Sequence, residues 1–514
     1  MVMKLKRRTI SAITAATFAA SVLAGCSGSG GDGGGKSKGD AGGASQQPGK
    51  EVVLRVWGPH DFMKGDESPG QQMVKIFNEK YKGSIRVEMK YMPWAEYNTA
   101  IQAAVTSNDL PDIFNLPQNI DFQQVVASKW IRPLDGLVSD AWKKQFYDGA
   151  FAEGVNVIGG KTYTWPIFGP QLNQLLYYNK DVLKNAGLDP EKPPKTWDEL
   201  RSMAKTVTEK GKGDIFGAVF AMAENGYATN TVTGFAAGIN NLEASINGFN
   251  YKTGAYTYGS KAISDSVKFI LDLKKDGSIL PSAYNLKHPE AGALFGQGKA
   301  AFLFDGRWRM WLIKRDTPDA KFGMAPLPTP TGEPMIMHHT LATNSGFMVN
   351  DKTKYPEAVG KFIEEGLASD LFYERFMKSG VALSPIEKLN ADKSKYPYPE
   401  YETFAKLHQD LLRLRPDPLV RNPEVVKVLV EIGGMGQPKI KPSFNEILQA
   451  IITGAEKDPD AALKQYNEKM TKGFKDGLDK MKQSGVKVEP GDFSFSNWDP
   501  KKDYTAKDYE AVKK

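Results

Sequence analysis

The stretch from residue 52 to residue 92 constrains the fold most, because it switches from a strand pattern to a helix pattern and back. "VVLRVWG" (52–58) alternates apolar and polar residues, and so does "SIRVEMKYM" (84–92), where Ile85, Val87 and Met89 share one face. A helical segment ending in "MVKIFNEKYKG" lies between them. Strands joined through a helix pair in parallel, so the sequence predicts an α/β fold.

The same alternation of strands and helices continues along the chain. The helix over 196–211 is marked by Thr196 as N-cap, Glu199 at the capping-box position and Gly211 as its end. Further helices are predicted at 94–107, 260–276 and 355–380, further strands in 109–117, 175–178 and 345–350, and a helix, turn, strand and helix over 293–314, with the last helix opening at Gly306.

Composition narrows the function classes. The chain has 514 residues, 41% of them hydrophobic and 25% charged, which is typical of a globular protein of two or three domains. Its single cysteine excludes a disulfide framework and a cysteine-based zinc site, and we expect no metal or cofactor. The net charge is +7, and four basic residues near the N-terminus supply 4 of it, leaving +3. A net charge of +3 on a chain of this length does not favour binding to nucleic acid.

The N-terminus follows the plan of a secretory signal. Lys4, Lys6, Arg7 and Arg8 precede an uncharged apolar run over 10–23. Leu23-Ala24-Gly25-Cys26 resembles a bacterial lipobox, which implies a signal peptide over 1–25 and a lipid on Cys26; the alternative is ordinary secretion with a free thiol. Ten of the 25 residues over 26–50 are glycine, and residues 27–50 contain no Val, Ile, Leu, Met or aromatic residue, so we expect a flexible tether there.

Four long stretches carry a family resemblance: "LLYYNKDVLKNAGLDPEKPPKTWDELRSMAKTV" (175–207), "FNEKYKGSIRVEMKYMPWAEYNTAIQAAVTSNDLPDIF" (77–114), "FGQGKAAFLFDGRWRMWLIKRDTPDAKFGMAPLPTPTG" (295–332) and "FNEILQAIITGAEKDPDAALKQYNEKM" (444–470). They resemble extracellular solute-binding proteins of carbohydrate ABC importers, the family that includes maltose-binding protein. The resemblance implies two α/β lobes joined by three crossings, with the ligand in the cleft between them. Mapped onto this chain, lobe one is 51–165 and 326–380, and lobe two is 166–325 and 381–514. Proline-marked crossings at 165–170, 325–334 and 380–385 fit hinges.

A sugar site needs aromatic platforms and side chains that bind pairs of hydroxyls, and such groups collect at strand ends. The predicted ligand-binding residues are Trp57, His60, Asp61, Trp94, Asp112, Trp165, Gln171, Asn173, Asp305, Trp308, His338 and Phe444. For each, the alternative is a structural role such as core packing or capping.

The resemblance assigns roles to several of these residues. Gly306 and Trp308 match a Gly-x-Trp at a helix start, where the tryptophan stacks on a sugar ring, and Phe444 matches an aromatic stacking position. After Trp165, maltose-binding relatives carry an acidic ligand residue. This chain has "WPIFGPQLNQ" instead, so Gln171 and Asn173 are the neutral substitutes.

We therefore expect a lipid-anchored binding protein outside the cell membrane, which captures an oligosaccharide and delivers it to the transmembrane subunits of an ABC permease. Another polar solute, such as a peptide, polyamine or iron chelate, is the alternative within transport. A surface-anchored glycosidase or polysaccharide-adhesion protein is the alternative outside it. The chain has five histidines and neither a His-Glu-x-x-His nor a Gly-x-Ser-x-Gly motif, so we expect no enzyme.

Overall fold

The computed structural model describes residues 51–118, 120–224, 226–239, 248–433 and 438–512; the predicted signal peptide, Cys26 and the tether lie outside this part of the chain. Its strands are β1 (Val52–Gly58), β2 (Ile85–Tyr91), β3 (Ile113–Asn115), β4 (Ile131–Arg132), β5 (Val157–Ile158), β6 (Lys161–Thr162), β7 (Leu175–Asn179), β8 (Phe216–Val219), β9 (Phe249–Asn250), β10 (Ala255–Tyr256), β11 (Ala300–Asp305), β12 (Phe322–Ala325), β13 (Met337–His339), β14 (Phe347–Asn350) and β15 (Leu412–Leu414).

The helices alternate with these strands along the chain. They are α1 (Pro69–Lys80), α2 (Trp94–Thr106), α3 (Phe122–Ala127), α4 (Asp140–Lys143), α5 (Lys180–Asn185), α6 (Trp197–Gly211), α7 (Tyr227–Ile239), α8 (Lys261–Lys275), α9 (His288–Gly296), α10 (Arg309–Asp316), α11 (Pro356–Phe362), α12 (Asp370–Lys378), α13 (Glu387–Asn390), α14 (Glu400–Leu411), α15 (Pro418–Arg421), α16 (Val425–Glu431), α17 (Phe444–Thr453), α18 (Pro459–Gln483) and α19 (Ala506–Val512).

The first sheet has the order β2-β1-β3-β14-β4. β1 pairs in parallel with β2 and β3, which confirms the predicted strand–helix–strand unit, whereas β14 runs antiparallel to β3 and β4. Leu54 and Val56 point into one core with Phe347, while Phe114 and Met348 point into another on the opposite face. Both faces of this sheet are therefore covered, as in other α/β layers.

The second sheet has the order β12-β7-β11-β8. β7 is antiparallel to both β11 and β12, and β11 is parallel to β8. Every residue of β7 and of β11 is buried, which explains why these strands read as continuous apolar runs rather than as alternating ones.

The two sheets divide the molecule into two α/β lobes. The strands of the first sheet come from 52–132 and 347–350, and those of the second from 175–325. The residue boundaries of the lobes stay a prediction. β13, within the range expected for lobe one, pairs in parallel with β15, within the range expected for lobe two.

Local signals in the sequence predict helix starts well and helix continuity less well. The capping box at Thr196 and Glu199 is present at the start of α6, as predicted. The single helix predicted over 355–380 is wrong, because a wide turn over Ile363–Leu367 separates α11 from α12. In that turn Ala368 N–H donates to the Ile363 carbonyl, five residues back, so the regular helical ladder is interrupted.

The crossings between the lobes pack directly against one another. Gly169 N–H donates to the Leu383 carbonyl at 2.9 Å, and a Cβ on Gly169 would lie 2.6 Å from the Ser384 carbonyl oxygen. A Cβ on Gly346 would collide with the carbonyl oxygen of Trp165. Glycine is needed at both positions because two backbones approach closely there.

Among the described residues, none of the helices has the length and apolar character that a membrane crossing needs.

Candidate functional site

A cavity of about 370 Å³ lies between the two lobes, next to the crossings. Its walls come from the first crossing, from α7, from the return segment 335–345 and from the residue after β15. The lining residues are Tyr147, Phe168, Gly169, Pro170, Gln171, Asn173, Gln174, Asn230, Thr233, Gly234, Ala237, Tyr251, Met335, Ile336, Met337, His338, His339, Thr340, Thr343, Ser345 and Arg415.

The cavity offers hydrogen-bonding groups of both kinds. Gln174 is only 4% exposed, and its Oε1 has no hydrogen-bond partner within the described chain, so an acceptor is left free at the cavity wall. Asn230 and Thr233 lie one helical turn apart on α7 and therefore share a face. A buried acceptor without a partner is costly, which points to a ligand that donates to it.

α7 can approach the cavity closely because its residues are small. Its sequence is "YATNTVTGFAAGI", and Gly234 lines the cavity while its missing Cβ would lie 2.8 Å from Leu327 Cδ1. A larger side chain at this position would push against Leu327 or into the cavity.

A cluster of rings adjoins the cavity and shares Phe168 with it. In this aromatic cluster, defined by His60, Trp94, Phe168, Tyr227 and Trp308, the His60 ring centre lies 5.6 Å from Trp94 and 5.6 Å from Phe168. Trp308 lies 6.2 Å from Tyr227. His60 and Trp94 belong to the first lobe and Tyr227 and Trp308 to the second, and the guanidinium of Arg307 joins the two groups, at 4.3 Å from the Phe168 ring and 5.9 Å from the Trp308 ring.

Arg307 places a positive charge inside this cluster. Its guanidinium carbon is 4.3 Å from the centre of the Phe168 ring, and Nη1 donates to the Val381 carbonyl at 3.0 Å. The side chain is buried, and burial lowers the pKa of Arg307 to about 10, so the group stays charged at neutral pH. Burial, together with the charge of Arg307, lowers the pKa of His60 to about 3 and keeps that ring neutral.

Two more neutral histidines border the cleft. His338 lines the cavity and its Nε2–H donates to the Pro500 carbonyl at 2.8 Å, while burial lowers its pKa to about 4. His408 lies behind the first crossing, where its Nε2 accepts from Leu172 N–H at 3.1 Å.

The structure brings six of the predicted site residues to the cavity or the aromatic cluster. Gln171, Asn173 and His338 line the cavity, and His60, Trp94 and Trp308 belong to the cluster.

The other six predicted residues have structural neighbours in this conformation. Trp57 lies between the cations of Arg55 and Lys90, at 5.9 and 5.3 Å. Asp61 accepts from the Tyr91 hydroxyl at 3.3 Å. Asp112 accepts from Arg55 N–H at 2.9 Å and from the Thr353 hydroxyl at 2.6 Å.

The remaining three are buried. Trp165 is 0% exposed and packs edge-on against Trp142. Asp305 forms an ion pair with Arg309 at 2.6 Å, with both side chains buried. Phe444 lies in the core of the second lobe, 4.5 Å from Tyr258 between ring centres. None of these six residues lines the cavity described above.

Several lining residues were missed by the sequence analysis. Asn230 and Thr233 had a usable signal, since two polar side chains stand at helical spacing on a helix of small residues. Arg415 and Tyr251 carry no local signal, because only the tertiary fold brings them beside the crossing residues.

No cluster of three or more potential metal ligands occurs among the described His, Cys, Asp and Glu residues. The residues that line the cavity supply hydrogen-bonding groups, aromatic rings and one positive charge.

Comparison with known proteins agrees with this architecture. The family model for bacterial extracellular solute-binding proteins matches residues 63–370. A putative binding protein of Brucella abortus is 29% identical over 51% of this chain, and the match spans 60% of the length of that relative. The multiple sugar-binding protein of Streptococcus mutans is 25% identical over 62% of this chain and 72% of its own length.

A solved structure shows the same fold. The maltose/maltodextrin-binding domain MalE of Bdellovibrio bacteriovorus, bound to maltotriose, superposes with a TM-score of 0.59 at 20% identity, over 83% of this chain and 100% of that one. The family model covers more than half of the chain, and the two-lobe fold with its cleft agrees with it. The chain belongs to the family of bacterial extracellular solute-binding proteins.

Proposed function

We propose that this protein captures an oligosaccharide between its lobes and delivers it to the permease of an ABC importer. The observation that carries the proposal is the cavity beside the crossings, which is lined by amides, hydroxyls and aromatic rings from both lobes. These are the groups that bind sugar hydroxyls and the apolar faces of sugar rings. The names of the Streptococcus mutans relative and of the maltotriose complex support a sugar as the solute.

The size of the cavity favours a short ligand. About 370 Å³ lies near the lower end of the range of roughly 300–1,000 Å³ for small-molecule pockets. A short oligosaccharide fits this volume better than a long polymer chain.

Capture works by hinge closure without covalent chemistry. The first and third crossings pack against each other at Gly169, and the first also packs against Gly346 just before β14, so small changes in their backbone angles can turn one lobe against the other. A ligand that touches both lobes stabilises the closed arrangement, and the closed form is what we propose the permease recognises.

Membrane attachment is proposed from the N-terminal sequence. A lipid on Cys26 would hold the protein at the outer face of the cell membrane, and the glycine-rich segment 26–50 would let the lobes reach the permease. Replacing Cys26→Ala should move the protein from the membrane fraction to the soluble exported fraction. Retention of the variant in the membrane fraction contradicts the anchor.

The binding proposal is tested by a thermal-shift screen of oligosaccharides, followed by calorimetric titration of the hits. Asn173→Ala removes a hydrogen-bonding side chain from the cavity wall and should weaken binding about fivefold, since one hydrogen bond contributes about 1 kcal/mol. The control is Gln409→Ala, on the exposed face of α14, which should bind like the wild type.

Three outcomes contradict parts of the proposal. Failure of every saccharide to bind contradicts sugar capture. Equal affinity of both variants and the wild type contradicts this cavity as the site. Release of shorter products on prolonged incubation would favour the glycosidase alternative.

A further inference from the structure

Arg415 brings a positive charge to the cavity wall. Its guanidinium carbon lies 4.3 Å from the centre of the Tyr251 ring, which also lines the cavity. One guanidinium N–H donates to the Pro416 carbonyl at 2.8 Å. In the described part of the chain Arg415 forms no ion pair, so most of its donors remain available.

The neighbouring carboxylates of Asp417 and Asp503, both within the described chain, accept backbone hydrogen bonds and form no ion pair with Arg415. Asp417 Oδ1 accepts from Leu419 N–H at 3.0 Å, and Asp503 Oδ1 accepts from Leu414 N–H at 2.7 Å. No aspartate or glutamate appears among the described residues that line the cavity. The cavity wall therefore combines a cation with neutral polar groups.

A second cation lies behind Phe168. Arg307 is 5% exposed, stacks on that ring at 4.3 Å, and has no ion pair within the described residues. Its Nε also has no hydrogen-bond partner there. Because a ring and low-dielectric surroundings screen charge poorly, Arg307 adds to the positive potential of the cavity.

Gln174, whose Oε1 has no hydrogen-bond partner among the described residues, lines the same cavity as Arg415. An acceptor binds a hydroxyl, whereas an arginine fork binds an oxyanion with charge-assisted hydrogen bonds. The cavity thus suits a molecule that carries both an oxyanion and hydroxyl groups.

We propose that the ligand is an acidic saccharide, whose oxyanion is bound by Arg415 and whose hydroxyls are bound by the amides of the cavity. This inference rests on the proposed function and narrows its substrate class. The contact of Arg415 with the Tyr251 ring restricts the arginine side chain, so less conformational freedom is lost when the oxyanion binds. The oxyanion can be a uronic acid carboxylate or a sugar phosphate.

The test uses matched pairs of disaccharides in calorimetric titrations: digalacturonic acid with galactobiose, and trehalose 6-phosphate with trehalose. At least one acid should bind about tenfold or more tightly than its neutral partner, since hydrogen bonds to charged groups are the stronger class. The disaccharide pair in which the acid binds more tightly identifies the oxyanion as a carboxylate or a phosphate. The preference should shrink as salt rises, because Arg415 is partly exposed.

Three variants assign the preference to Arg415. Arg415→Gln should bring the ratio of affinities close to one, while Arg415→Lys should keep part of it. Arg421→Gln is the matched control, because Arg421 also stacks on an aromatic ring, Phe495 at 5.3 Å, and donates to a carbonyl, that of Ser494 at 2.7 Å. This control should keep the full preference.

The outcomes separate this inference from the proposed function. If neutral saccharides bind as tightly as the acids, or if Arg415→Gln keeps the preference, the inference is wrong while sugar capture stands. If neutral saccharides bind and neither acid does, the inference is also wrong. If no saccharide binds at all, both are wrong.

Discussion

Acid should destabilise this protein partly through His408, a buried histidine that must be neutral. The His408 Nδ1–H donates to the Phe404 carbonyl at 2.8 Å, and Nε2 accepts from Leu172 N–H at 3.1 Å. A second proton on the ring would displace the Leu172 donor. Burial lowers the pKa of His408 to about 3, from 6.5 in an unstructured chain.

The sign and size of the effect follow from proton linkage. Below pH 6.5 the unfolded chain binds a proton at this ring and the folded chain does not, so stability is full above pH 6.5 and falls as the pH drops towards 3. At about 1.36 kcal/mol per pH unit, the loss from this one ring between pH 7 and pH 5 is about 2 kcal/mol.

The assay is urea unfolding of the wild type and of His408→Gln at pH 7 and pH 5. Glutamine can accept from Leu172 N–H but does not titrate, so the variant should lose about 2 kcal/mol less than the wild type over this interval. The contributions of all other titrating groups to the stability loss cancel when the two proteins are compared. Equal losses would refute the assignment of a neutral buried ring to His408.

Three further predictions concern stability. Gly346→Ala should lower the free energy of unfolding by about 1–3 kcal/mol, measured by urea titration, because the added Cβ collides with the Trp165 carbonyl. Gly491→Ala is the control and should cost far less, because a Cβ at that position has open space. Thr196→Ala removes the helix cap and should cost about 1 kcal/mol; an unchanged urea midpoint would contradict a stabilising cap. Asp305→Asn breaks a buried ion pair and should cost about 3–5 kcal/mol, measured by thermal unfolding; a cost below 1 kcal/mol would contradict its burial.

Strong local patterns made much of the fold predictable. The alternation in β1 and β2 and the capping box of α6 are short-range signals, and the structure has each of them where the sequence placed it. The antiparallel entry of β14 into the first sheet had no such signal, because strand direction depends on where the chain returns from the second lobe.

The site was less predictable, because residue type does not reveal which way a side chain points. Trp57 was chosen for its position at a strand end, but the pleat directs it to Arg55 and Lys90. Asp305 was chosen as a polar group at a strand end, and its carboxylate is used by Arg309 one helical turn away. Arg415 was overlooked because only tertiary contacts bring it to the cavity.

The central claim is that one oligosaccharide is held by both lobes at once. Hydrogen–deuterium exchange with and without a saturating saccharide tests it most directly, since it reports each segment separately. We expect slower exchange in residues 168–174, which begin within the first crossing, in α7 of the second lobe and in the return segment 335–345, all three together. Protection confined to one lobe, or to segments away from the cavity, would contradict it.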